Sequence, residues 1–113
     1  MAHDALDAML RGLKASVLPP KMQAVTVKYH FVLDGAEPCD ILLDHGALSL
    51  DQSKSPAACQ IECSASEFSA ILSGRHNMLT SFMRGDTRLK GALGAAKHLY
   101  TFLRYAHHEE AHP

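Results

Sequence analysis

The chain contains no tryptophan, and phenylalanine and tyrosine together make up only 6% of its 113 residues. Its core must come mostly from aliphatic side chains, and the 47% apolar content is enough for the one core expected of a domain this size. Cysteine is also scarce, and three is an odd number, which argues against a secreted disulfide framework. No run approaches the roughly 18 apolar residues of a membrane span, and the start of the chain, with Asp4 and Asp7, is unlike a secretory signal. The expected compartment is the cytoplasm. Positive charge is not in excess: the net charge is −1 with histidine neutral, so nucleic acid is not an expected partner. Neither a Gly-x-Ser-x-Gly elbow nor a glycine-rich phosphate loop appears.

The apolar residues that are present follow two periods. Leu6, Met9, Leu10, Leu13 and Val17 recur at helical spacing, predicting a helix over 4–18, capped by Asp4 and stopped by Pro19-Pro20. Residues 24–33 alternate instead. Val25, Val27, Tyr29, Phe31 and Leu33 fall on one face of a strand, with Thr26, Lys28 and His30 on the other. Two short strands follow around His45-Gly46, with Ile41, Leu43, Leu48 and Leu50 inward, then a loop over 52–56. A fourth strand carries Cys59, Ile61 and Cys63 inward. Four residues of strand place those two cysteines about 13 Å apart, too far for a disulfide or a shared metal.

Ser64-x-x-Glu67 spells a capping box at the start of a helix ending near Leu72 and Gly74. Asn77 caps a second short helix with Met78, Leu79, Phe82 and Met83, ended by Gly85. TRLKG is a fifth strand, and the last helix is expected over about 92–105. Its Leu93, Ala96, Leu99, Tyr100 and Leu103 face inward, with Lys97, Thr101 and Arg104 outward. A block of strands and separate helices implies an α+β domain with the helices on one sheet face. The other face (Thr26, Lys28, His30, Gln60, Glu62) is polar, which favours a monomer. The domain spans 1–106, and 107–113 is a polar, His-rich tail.

Three motifs draw attention. The chain ends HEEAHP, which contains the H-E-x-x-H of zinc proteases. A zinc site of that kind needs a stable helix, a third ligand and a substrate cleft, yet here the second histidine is penultimate. Arg84-Gly85-Asp86 spells an adhesion tripeptide on a turn into a strand. Neither points to a function, and no metal, cofactor or catalytic residue is assigned. Cations cluster late, at Arg75, Arg84, Arg88, Lys90, Lys97 and Arg104, opposed between Gly74 and Tyr105 only by Asp86. Such a face suits a membrane surface or an acidic protein.

The stretch GRHNMLTSFMRGDTRLKGALGAAKHLYTFL resembles the C-terminal half of the sterol carrier protein 2 (SCP-2) domain family. Gly74, Phe82, Met83, Gly85, Leu89, Lys90, Gly91, Ala96 and Leu99 fall on that family's pattern. The likeness in element order extends over about 4–105. Asn77-Met78 stands where members often carry Asp-Pro, and Ala92 where they often carry Asp. The chain ends Ala-His-Pro, not in a Ser-Lys-Leu-type peroxisomal address.

The resemblance implies a five-stranded, mostly antiparallel sheet with helices covering one face around an apolar tunnel. It further implies a non-enzymatic binder that carries or presents a sterol, a fatty acid or acyl-CoA, a phospholipid or an isoprenoid. The alternative it implies is an accessory domain supporting a lipid or isoprenoid-quinone enzyme through its basic C-terminal face. Alternation and periodicity then select the expected ligand-lining set: Phe31, Ile41, Ile61, Phe68, Leu72, Met78, Phe82, Met83, Leu89, Leu99 and Phe102.

Overall fold

The structure is a computed structural model that describes residues 2–13 and 18–111, with side chains over 5–13 and 18–107. Its elements in chain order are α1 (Ala2–Gly12), α2 (Pro20–Gln23), β1 (Thr26–Asp34), β2 (Cys39–Asp44), β3 (Ala47–Leu50), β4 (Cys59–Ser64), α3 (Ala65–Leu72), α4 (Met78–Met83), β5 (Thr87–Gly91) and α5 (Leu93–Ala111). The five strands form one mixed sheet in the order β3-β2-β1-β4-β5. β1–β2, β2–β3 and β4–β5 are antiparallel, whereas β4 returns parallel to β1 in a register pairing Tyr29 with Cys59 and Phe31 with Ile61. Helix α1 packs on β3, α3 on β1 and β4, α4 on β5, and α5 on β4 and β5.

One apolar cluster joins the inward side chains of the sheet to the helices. Tyr29, Ile41, Leu43, Leu48 and Ile61 meet Leu10, Phe68, Leu72, Leu99 and Phe102, and none of these ten is more than 7% exposed. Phe31 and Phe68 pack with ring centroids 4.9 Å apart, tilted by 53°. The Tyr29 hydroxyl is deep inside and donates to the Ala95 carbonyl oxygen at 2.5 Å, which ties β1 to the first turn of α5. The thiols of Cys39, Cys59 and Cys63 are free and buried. Burial, and to a smaller degree Asp40 and Glu67, pushes Cys39 and Cys63 up to about 11, so both remain protonated and poorly nucleophilic.

Four local expectations change. First, α1 closes at Gly12, and part of the predicted 4–18 helix, including Val17, lies outside the described residues. Second, Pro20 opens a helical turn at its first position, where the missing N–H costs nothing. Third, α5 continues to Ala111 instead of stopping near 105; Ala106, just past the expected end, is 2% exposed and still belongs to the core. Fourth, the sheet face expected to be solvated is partly roofed. The segment after β3 crosses it and buries Lys28, which is 7% exposed.

Lys28 Nζ donates to the carbonyl oxygens of Ser53 at 2.9 Å and Ser55 at 2.5 Å. It also sits 3.4 Å from Asp40 Oδ2 and 3.2 Å from Asp51 Oδ2. A buried ammonium needs this many partners. Asp51, in turn, is engaged by the backbone N–H and hydroxyl of Ser53 and by Lys28, which together hold its carboxyl below the ordinary value. The lysine thus pins the β3–β4 crossover to the sheet. Lys28→Met is expected to lower unfolding free energy by about 2 kcal/mol, less than for a fully buried pair because the two carboxylates keep water and other partners. Urea titration checks this; a loss below about 0.5 kcal/mol would show that the crossover holds without the ammonium.

Candidate functional site

An open apolar groove lies where α4, β5 and α5 meet. Asn77 starts α4 by accepting from the backbone N–H of Leu79 at 2.9 Å and of Thr80 at 3.1 Å, as the sequence led us to expect. Gly85, at φ +84°, turns the chain out after six helical residues. The buried Ser81–Thr87 hydroxyl pair, 2.7 Å apart, fastens α4 to β5 at that turn.

A helix this short leaves a groove of about 300 Å³ between itself and α5. Met78, Leu79 and Phe82 of α4 form one wall, Leu89 of β5 lies between, and Leu93, Ala96, Lys97 and Tyr100 of α5 form the other. Leu79, Phe82 and Leu93 are 46%, 41% and 61% exposed, an unusual cost for three large apolar side chains set around one cleft.

Of the expected lining residues, Met78, Phe82 and Leu89 stand on the groove. Phe31, Ile41, Ile61, Phe68, Leu72, Leu99 and Phe102 belong, with Met78, to the buried core cluster. Met83 is 76% exposed and is not among the residues lining the groove. Periodicity left out Leu79, Leu93, Ala96, Lys97 and Tyr100. Four of them carried a visible signal as apolar members of the Met/Phe-rich block or of the α5 stripe. Lys97 carried none, because a lysine stem covers apolar surface while its charge stays in water.

A second, smaller cavity of about 100 Å³ adjoins the groove on the α3–α4 side and shares Met78 and Tyr100 with it. His76 and Asn77, from the α3–α4 connection, line it together with Arg104 and His107 of α5. Gly74, at φ +84°, makes room for this arrangement: a Cβ there would lie 2.7 Å from His107 Nδ1. His107 Nε2 donates to the Leu72 carbonyl oxygen at 2.9 Å, tying α5 to the end of α3.

Glu67 departs from the capping-box pattern. Ser64 Oγ accepts from the Glu67 backbone N–H at 3.0 Å, but the Glu67 carboxylate turns inward and accepts from His76 Nδ1 at 2.8 Å. Its other oxygen, Oε2, is buried without a hydrogen bond of good geometry. The neighbouring Ser81 hydroxyl, engaged with Thr87, still favours the charged carboxylate. Ser81 first, and His76 after it, hold Glu67 below its ordinary value against the opposing effect of burial.

The basic strip is partly neutralised within the fold. Glu62 on β4 lies 3.1 Å from Lys90 and 3.3 Å from Arg88 on β5, and Arg84 pairs with Asp86 at 3.0 Å, so the two charged ends of RGD meet each other. Among the described residues, no group of three His, Cys, Asp or Glu side chains could hold a metal ion, and no helix is long and apolar enough to cross a membrane. The backbone of His108–Ala111 lies in α5; the side chains of HEEAHP and residues 112–113 lie outside the described set.

The molecule is thus an α+β layer with an open, hydrocarbon-lined groove between one short helix and one long one. The comparisons specify it further. The chain belongs to the SCP-2 sterol transfer family, whose model matches residues 6–104. Among solved structures it is similar to a "UbiJ-SCP2 Ubiquinone synthesis protein" at 10% identity and TM-score 0.71, covering 93% of this chain and 95% of that one. It is also similar to sterol carrier protein 2 from Yarrowia lipolytica in its apo form, at 18% identity and TM-score 0.57, over 93% and 91% of the two chains. Palmitated SCP2L2 from Aedes aegypti follows at 14% identity and TM-score 0.59, over 88% of each. At these identities the likeness concerns the fold. None of the curated proteins matches the chain.

Because Glu67 titrates below its ordinary value of 4.5 in the folded chain, its contribution to stability is present above that value and lost as pH falls through the lower, folded one. Glu67→Gln removes this contribution. The urea midpoints of wild type and variant are therefore expected to converge as pH is lowered from 7 to 3. Parallel curves would mean that the carboxylate has no charge-dependent role.

Proposed function

We propose that this protein binds a hydrophobic ligand (a sterol, a fatty acid or acyl-CoA, a phospholipid or an isoprenoid) and carries or presents it without acting on it chemically. The observation that supports this most is the groove between α4 and α5, walled by Met78, Leu79, Phe82, Leu89 and Leu93 and left open to solvent. Membership of a sterol transfer family agrees with it. One wall of the groove is the six-residue α4, and its Met78 has a side chain that adapts to ligands of different shape. A ligand chain entering between α4 and α5 would lie along Ala96 and Tyr100 of α5, the helix that also carries the expected lining residues Leu99 and Phe102. In this reading the rest of the expected lining set, Phe31, Ile41, Ile61, Phe68, Leu72 and Met83, serves as the surrounding support and rim. The cytoplasm is the proposed compartment.

A second reading, an accessory domain for a lipid or isoprenoid-quinone enzyme, draws on the fold likeness to the UbiJ-SCP2 protein and on the cations around the groove. Its docking surface would centre on Arg75, Lys97 and Arg104 more than on Arg84, Arg88 and Lys90, whose charges are already paired with carboxylates.

Binding driven by hydrocarbon should scale with chain length, at about 0.8 kcal/mol per buried methylene. From octanol through decanol to dodecanol, each two-carbon step is expected to tighten binding by up to about 15-fold until the groove is full. Phe82→Ala, at an exposed wall position that the fold can spare, is expected to weaken dodecanol binding several-fold. Displacement of a fluorescent fatty probe measures both. No saturable uptake, or affinity independent of chain length, would overturn the proposal.

A further inference from the structure

We infer that β5, the open edge of the five-stranded sheet, takes an extended segment of another protein as a sixth strand, one in which acidic and apolar residues alternate. The inference does not depend on what the groove holds.

The two edges of the sheet differ. At one end, α1 packs on β3, and Asp7 Oδ1 accepts from the Leu50 backbone N–H at 3.0 Å. At the other, among the described residues, β5 pairs with β4 and with no further strand. Every second residue of an edge strand turns its N–H and C=O away from the sheet, which makes that edge a template for another chain. Arg88, Lys90 and Gly91 are exposed, and the exposure of a glycine is that of its backbone.

The side chains select the partner. Leu89 faces the helices and lies on the groove, whereas Arg88 and Lys90 face the other way and reach Glu62 of β4 at 3.3 and 3.1 Å. Two cations thus share one carboxylate, and their side chains stay 77% and 66% exposed. A strand laid against β5 sets its residues opposite, with Cβ atoms about 5 Å away. Acidic residues opposite Arg88 and Lys90 meet the surplus charge, and the apolar residue between them falls beside Leu89. A second copy of this chain fits poorly, because β5 paired with β5 about Leu89 sets cation opposite cation. The pattern required of the partner is therefore acid–apolar–acid in extended backbone, held by main-chain pairing and sorted by side-chain charge. This edge is distinct from the surface of Arg75, Lys97 and Arg104, which offers side chains alone.

Calorimetric titration of the peptide acetyl-TEVEVET-amide into the whole chain tests this. Saturable binding is expected, with the charge-reversed peptide TKVKVKT weaker by about tenfold or more. Backbone chemistry supplies the sharper arm. Two versions of TEVEVET carry N-methyl groups, one on its glutamates and the other on its valines. Alternate N–H groups of a strand point to opposite sides, so one version is expected to lose about tenfold or more in affinity while the other keeps it. Arg88→Gln together with Lys90→Gln is expected to bring TEVEVET and TKVKVKT to similar affinities. A thermal melt checks that this variant is folded, and the methylated pair carries the test if it is not. No saturable binding of TEVEVET, or equal binding of TKVKVKT to wild type, would overturn the inference. Equal affinities of the two methylated versions would reduce the contact to charge attraction and overturn the added strand. A free chain that sediments as a dimer and comes apart on adding TEVEVET would assign the edge to a second copy instead.

Discussion

A six-residue helix cannot cover both an edge strand and a nineteen-residue helix. Everything distinctive about this molecule follows from that constraint on α4. Asn77 fixes where α4 starts, Gly85 where it ends, and the Ser81–Thr87 hydroxyl pair where it sits against β5. Within those limits, Leu79 and Phe82 can meet α5 only across a gap. Burying them would gain apolar stabilisation that this geometry forgoes. A domain that otherwise packs Tyr29, Ile41, Leu43, Ile61 and Phe102 to near-zero exposure leaves its greasiest short helix half in water.

Polar contacts tie the surrounding frame together, while Leu79 and Phe82 of α4 stay partly exposed. Lys28 gathers the β3–β4 crossover onto the far face of the sheet and so fixes the parallel return of β4 beside β1. Glu67 does the corresponding work on the helical side, where its carboxylate holds His76 and sets the course of the chain between α3 and α4. His107 and Gly74 then bring the far end of α5 against the end of α3. The groove itself is bounded by β5 and α5 and by a short, separately capped helix, α4.

Much of this architecture is legible in the residues. The alternation from Val25 to Leu33, the Asn77 cap and the glycine-bounded TRLKG strand mark their elements because each depends on local chemistry. The block from Gly74 to Leu99 carries the family pattern, and the family model spans residues 6–104. What alternation does not reveal is depth. Phe31, Ile41 and Ile61 face inward just as a tunnel lining would, but so does any core residue, and here all three are buried in the one apolar cluster. Lys28 has the right parity for a solvated face, and only the path of a distant loop buries it. The same holds for Glu67: Ser64-x-x-Glu67 predicts a reciprocal cap, yet a histidine nine residues on competes for the carboxylate and takes it.

The central claim is that ligand enters between α4 and α5. Methyl resonances of methionine report on it directly, because Met78 lies on the groove and Met22 is buried elsewhere in the core. Titrating perdeuterated dodecanol into protein carrying ¹³C-methyl methionine is expected to shift the Met78 signal saturably and leave Met22 unmoved. A saturable shift at Met22 with Met78 unchanged would contradict the account and place the ligand elsewhere.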